Sequence, residues 1–111
     1  MTPATIDAAT FAELQDTAGA DFAAELVGTF LEEAPQMLAE LHAALAGASV
    51  DRFRRAAHSL KSNSQTFGAN ALAQLARELE LGSLPASDAP LHALQAEYAR
   101  TALALKELCD G

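Results

Sequence analysis

One imidazole among cations is the constellation in this chain best suited to chemistry. The run Ala57-His58-Ser59-Leu60-Lys61-Ser62 lies in a stretch whose apolar residues recur at helical spacing. At about 100° per residue, Asp51, Arg54, Arg55, Lys61, Ser62 and Gln65 fall within about 60° of His58. Phe53, Ala56, Ala57, Leu60, Ser64 and Phe67 fall on the other side. His58 is therefore predicted to face solvent with basic residues one turn away. An exposed imidazole is partly neutral near neutral pH, and its free nitrogen is a nucleophile. Attack on a phosphoryl group yields a phosphohistidine with about two negative charges, which neighbouring cations stabilise. Lys61, one turn downstream, can reach such a phosphate. Arg54 and Arg55, one turn upstream, raise the local potential, and Gln65 stands at the margin. One ring nitrogen has to be held by a hydrogen bond so that the other is presented. A solvated helix face has the same composition, so spacing alone leaves that alternative open.

Other chemistries find less support. His42 and His92 fall on other predicted helices, and no ligand pattern surrounds His58, so no metal site is expected. There is no Gly-x-Ser-x-Gly elbow and no glycine-rich phosphate loop. Cys109 is the only cysteine, so no internal disulfide can form, which suits a reducing cytoplasm; it reads as inert packing. The net charge of −8, from 15 acidic and 7 basic residues, argues against nucleic acid and anionic membranes. The N-terminus lacks a basic region followed by an apolar one, so no signal peptide is expected. The chain begins at Met1 and ends Asp110-Gly111, which reads as a complete protein.

The elements that must hold His58 are helices. Half of the residues are apolar, mostly Ala and Leu, and β-branched residues are scarce. Residues 1–6 read as a loose lead-in. A short helix is predicted from Asp7 to about Thr17 and is broken by Gly19. The next starts near Asp21, carries the stripe Phe22, Leu26, Phe30, Ala34, Met37, Leu41 and Leu45, and ends at Gly47. Pro35 removes a hydrogen bond to the Leu31 carbonyl, but the stripe keeps phase, so a kinked continuous helix is expected. The histidine helix runs from about Val50 to Phe67, with Ser49 as N-cap and Gly68 just past its end. Asn70 caps a fourth helix that stops at Gly82. Ser87 caps the last one, which carries Pro90 in its first turn and Leu91, Leu94, Tyr98, Thr101, Leu105 and Leu108 on its seam. The expected fold is an all-α, up-down-up-down antiparallel four-helix bundle with a short extra N-terminal helix.

The run around His58, followed by Gly68, Leu72, Leu75, Leu79 and Glu80, resembles the histidine-containing phosphotransfer (HPt) domains of two-component phosphorelays. Phe30-Leu31-Glu32-Glu33-Ala34-Pro35 and the loop before Asp51 extend the resemblance over nearly the whole chain. It implies a single domain over residues 1–111. It implies that Nε2 of His58 takes a phosphoryl group from a receiver's aspartyl phosphate and passes it to another receiver. Lys61 would hold the phosphate, and Glu80 would accept the Nδ1 proton and orient the ring. Ser62 stands where the family usually has glycine; its hydroxyl can bond a phosphate oxygen but narrows the approach. No cofactor is implied in this chain, since Mg²⁺ belongs to the receiver, and no ATP site is expected, so the protein is not an enzyme in its own right. The implied partners are receiver domains of response regulators and hybrid histidine kinases, met by a cytoplasmic monomer. Two alternatives stand beside this: a helical module that binds and inhibits a receiver or kinase without carrying phosphate, and the substrate domain of a chemotaxis-type kinase.

Overall fold

Alanine and leucine at helical spacing produce five helices and, among the described residues, no strand. The protein is described by a computed structural model that covers residues 5–110. The helices are α1 (Ala8–Ala18), α2 (Ala20–Ala46), α3 (Val50–Thr66), α4 (Asn70–Leu81) and α5 (Ala89–Asp110). α3 packs most extensively against α4 and then α2; α5 contacts α2 and α4, which closes a ring of four helices. α1 lies outside that ring against α2 and α3. No described helix is long and apolar enough to cross a membrane.

The helix ends follow local chemistry, with two corrections. The Asp7 carboxylate accepts from the Thr10 backbone N–H at 3.3 Å and caps α1. The Ser87 hydroxyl accepts from the Ala89 N–H at 3.3 Å ahead of α5. Ser49 holds the N-cap position of α3, but its side chain makes no capping hydrogen bond. Asn70 is the first residue of α4 rather than its cap, a position taken by Ala69. Residues 1–4 of the predicted lead-in lie outside the described residues; Ile6 is not loose but buried in the core.

The buried stripe of α2 is Ala23, Val27, Phe30, Ala34, Leu38, Leu41 and Ala44. The predicted stripe is therefore misphased in part, and Phe22 is 51% exposed. Side-chain size explains the error. Alanine lets helix backbones approach closely, so Ala23 and Ala44 sit at the contact while the bulkier Phe22 and Leu45 flank it. In α5, Leu91, Leu94, Thr101 and Leu105 are buried, but Leu108 is 41% exposed near the chain end, where Cys109 is exposed too and not packed as expected.

α2 runs unbroken through Pro35. Proline has no N–H to give the Leu31 carbonyl. The Tyr98 hydroxyl donates to that carbonyl from α5, at 3.4 Å. Tyr98 also meets Phe30 edge-on at 6.0 Å between centroids, and Phe30 meets Phe67 at 5.3 Å. The ring trio thus ties α2, the end of α3 and α5 together.

The turn between α3 and α4 depends on Gly68. Its φ is +77°, a region that favours glycine. Its carbonyl accepts the Asp7 N–H at 2.8 Å, which docks the start of α1 onto the turn. A Cβ there would stand 2.9 Å from Thr10 Cβ and 3.0 Å from the Asp7 carbonyl oxygen. Gly68→Ala is expected to cost roughly 1–3 kcal/mol from backbone strain alone, plus the clash. Urea unfolding checks this, and an unchanged midpoint would contradict the role given to the turn.

Candidate functional site

The site is built where α4 folds back along α3. The α3 residues Phe53, Ala56, Ala57, Leu60 and Ser64 are buried. That anchors the helix by one side and leaves His58 on the other, with its side chain 58% exposed. From α4, Leu72, Ala76 and Leu79 enter the core. Glu80, next to Leu79, is thereby carried to the edge of the same interface.

Glu80 bonds two partners on α3, one with each carboxylate oxygen. Oε2 lies 2.6 Å from Nδ1 of His58, and Oε1 lies 2.7 Å from Nζ of Lys61. An ionised carboxylate only accepts, so Nδ1 carries the proton and donates it. The neutral ring then has its lone pair on Nε2. The anchors are more enclosed than the ring they hold: the side chains of Glu80 and Lys61 are 18% and 19% exposed. Lys61 was expected to stand in solvent along the histidine face. It leans instead onto α4, because Glu80 draws its ammonium inward. The hydrogen bonds from Lys61 and then His58 hold the Glu80 carboxyl below its ordinary value of 4.5.

The remaining predicted residues lie further from this contact. Arg54, Arg55, Ser62 and Gln65 are exposed on α3. Arg55 turns back to the Asp51 carbonyl at 3.4 Å. The side chains of Arg54, Ser62 and Gln65 make no hydrogen bond among the described residues, so the structure brings only Lys61 and Glu80 into the ring's network. No described group of three or more His, Cys, Asp or Glu residues is placed to hold a metal.

Two features escaped the sequence reading. His42 and His92, from α2 and α5, lie with ring centroids 6.3 Å apart, and His92 bonds Asp88 at 3.1 Å. No spacing rule predicts a meeting between residues so distant in the chain. The second feature was legible. No Lys or Arg precedes Arg52, and no Asp or Glu occurs between Arg52 and Arg77. The charge of α2 is therefore opposite to that of α3, and the two helices share an open groove. Arg52 and Glu40 bridge it at 2.8 Å.

Comparison with known proteins bears on the family and the fold. The family model described as Hpt domain matches residues 25–104. The crystal structure of histidine-containing phosphotransfer protein B (HptB) from Pseudomonas aeruginosa PAO1 is similar with a TM-score of 0.90. The two chains are 28% identical, over 98% of this chain and 97% of that one. No curated protein sequence matches the chain.

Because the Glu80 pKa is lowered on folding, the network's contribution to stability is full above pH 4.5 and falls away as pH drops through the folded-state value. A carbon-13 NMR titration is expected to place the Glu80 midpoint below 4.5 and to move it upward in Lys61→Ala. An ordinary midpoint in both chains would contradict the shared-carboxylate geometry.

Proposed function

The chain belongs to the Hpt domain family, and we propose that it is a phosphocarrier in which His58 receives and returns the phosphoryl group of a receiver domain. A phosphotransfer role in phosphorelays follows from the family match and the likeness to HptB. The observation that carries the assignment to His58 is the hydrogen bond between its Nδ1 and Glu80 on an otherwise open ring.

In this reading the Nε2 lone pair attacks the phosphorus of an aspartyl phosphate. The N–P bond forms, the P–O bond to the aspartate breaks, and the receiver keeps its carboxylate. The phosphorylated ring with its Nδ1 proton carries a positive charge, which Glu80 offsets. Lys61 then has two candidate acceptors within one helical turn, the Glu80 carboxylate and the arriving phosphate. Arg54 and Arg55 add positive potential, Ser62 faces the approach and Gln65 marks its edge. For return transfer a receiver aspartate attacks phosphorus and the N–P bond breaks. Mg²⁺ and the acid cluster are assigned to the receiver, and the carrier contributes position and charge.

The ring of four helices joined by short loops is read as an up-down-up-down antiparallel bundle, with α1 as the extra helix. The whole of residues 1–111 is assigned to one domain, acting as a cytoplasmic monomer on receivers of response regulators and hybrid histidine kinases. The inhibitory-module alternative needs the same surface but not the imidazole, and so has no use for the Glu80 contact.

Incubation with a phosphorylated receiver is expected to label the chain with acid-labile, base-stable phosphate, and His58→Gln is expected to take none. Equal labelling of both chains would refute the assignment. Lys61→Ala is expected to slow transfer by about a hundred- to a thousandfold, the range of one lost charge-stabilising donor, with the bundle still folded by circular dichroism. Transfer at the parental rate would remove Lys61 from the mechanism.

A further inference from the structure

We propose that His42 and His92 form a binding site for one divalent transition-metal ion of the zinc and copper class, shared between the end of α2 and the start of α5. The inference is independent of the phosphocarrier reading, since neither ring bonds the Glu80 network. The two ring centroids lie 6.3 Å apart with their planes at 53°. Two imidazoles on one ion, at about 2.0–2.1 Å per nitrogen, have centroids about 5–6.5 Å apart, depending on the angle at the metal. The observed span falls in that range, so turning the rings is enough and the helices stay in place.

The backbones beneath the rings are fixed. His42 follows Leu41 and His92 follows Leu91, and both leucines are fully buried. The Asp88 carbonyl accepts the Leu91 and His92 N–H groups at 2.9 and 3.1 Å and shapes the first turn of α5. Its carboxylate holds the ring as well: Oδ2 lies 3.1 Å from Nε2 of His92. A carboxylate accepts, so Nε2 carries the proton and Nδ1 of the neutral ring keeps the lone pair. A carboxylate behind a ligating imidazole fixes its tautomer and makes it a stronger ligand. His42 makes no hydrogen bond among the described residues, so its lone pair is uncommitted. Nitrogen donors select borderline ions over Mg²⁺ and Ca²⁺, which prefer oxygen. With two protein ligands and a His92 side chain that is 68% exposed, water fills the rest of the coordination sphere. Such an ion binds reversibly and clasps α2 to α5, beyond the Tyr98 bond that already ties them.

Calorimetric titration of the untagged full chain with Zn²⁺, and separately with Mg²⁺, tests the site. Zn²⁺ is expected to bind at one site and Mg²⁺ to give no saturable signal there. His42→Gln and His92→Gln are each expected to abolish Zn²⁺ binding, and Asp88→Asn to weaken it about ten- to a hundredfold. Cys109→Ser is expected to bind like the parent. An ion held only by the folded pair stabilises it, so saturating Zn²⁺ is expected to raise the parental Tm by about 4 °C or more and that of His92→Gln not at all. The His92 side chain is mostly exposed, so His92→Gln is expected to keep the parental Tm without metal, which separates a lost ligand from a lost fold. Nitrogen-15 NMR of the histidine rings locates the ion: His42 and His92 are expected to shift and His58 to stay. No saturable Zn²⁺ binding, binding that survives His92→Gln, or ring shifts at His58 alone would overturn the site.

Discussion

The geometry of the site hangs on one carboxylate with two partners. Glu80 reaches from α4 to α3 and takes a proton donor on each oxygen, His58 on one and Lys61 on the other. That single contact decides which ring nitrogen holds the proton, where the ring points and where the nearest ammonium rests. It is possible only because α3 and α4 lie side by side. Their alignment is set by the tight turn through Gly68, whose positive φ and closeness to Asp7 leave no room for a side chain. Core packing, turn and site are therefore one structure: Leu79 is buried, and its neighbour Glu80 is delivered to the ring.

Much of this was legible in the sequence, and the failures have physical causes. All five helices follow from Ala and Leu periodicity and glycine breaks; the cap at Asp7 was seen only in the structure. The exposed face of α3 also follows, because Phe53, Ala56, Ala57 and Leu60 form one apolar side. Phase within α2 was harder. Hydrophobicity favours Phe22 over Ala23, but close helix contact favours the smaller residue, and Phe22 ends in solvent. The reach of Glu80 to His58 spans two helices, and periodicity within one helix cannot express it; only resemblance suggested it. The inward lean of Lys61 has the same origin, since it depends on a neighbour from another element.

Pro35 shows how a local defect is absorbed by tertiary structure. The missing N–H leaves the Leu31 carbonyl without its helical donor, and Tyr98 from α5 supplies another. That bond, together with the Phe30, Phe67 and Tyr98 rings, holds α5 against the pair that carries the groove. The charge split between α2 and α3 lies on the surface of the same pair.

The central claim is that Nε2 of His58 carries the phosphoryl group while Nδ1 keeps its proton on Glu80. Nitrogen-15 and phosphorus-31 NMR of the phosphorylated chain, with histidine labelled at both ring nitrogens, tests it most directly. The account predicts phosphorus coupled to Nε2 of His58 and a proton retained on Nδ1. Phosphorus on Nδ1, or on His42 or His92, would contradict it.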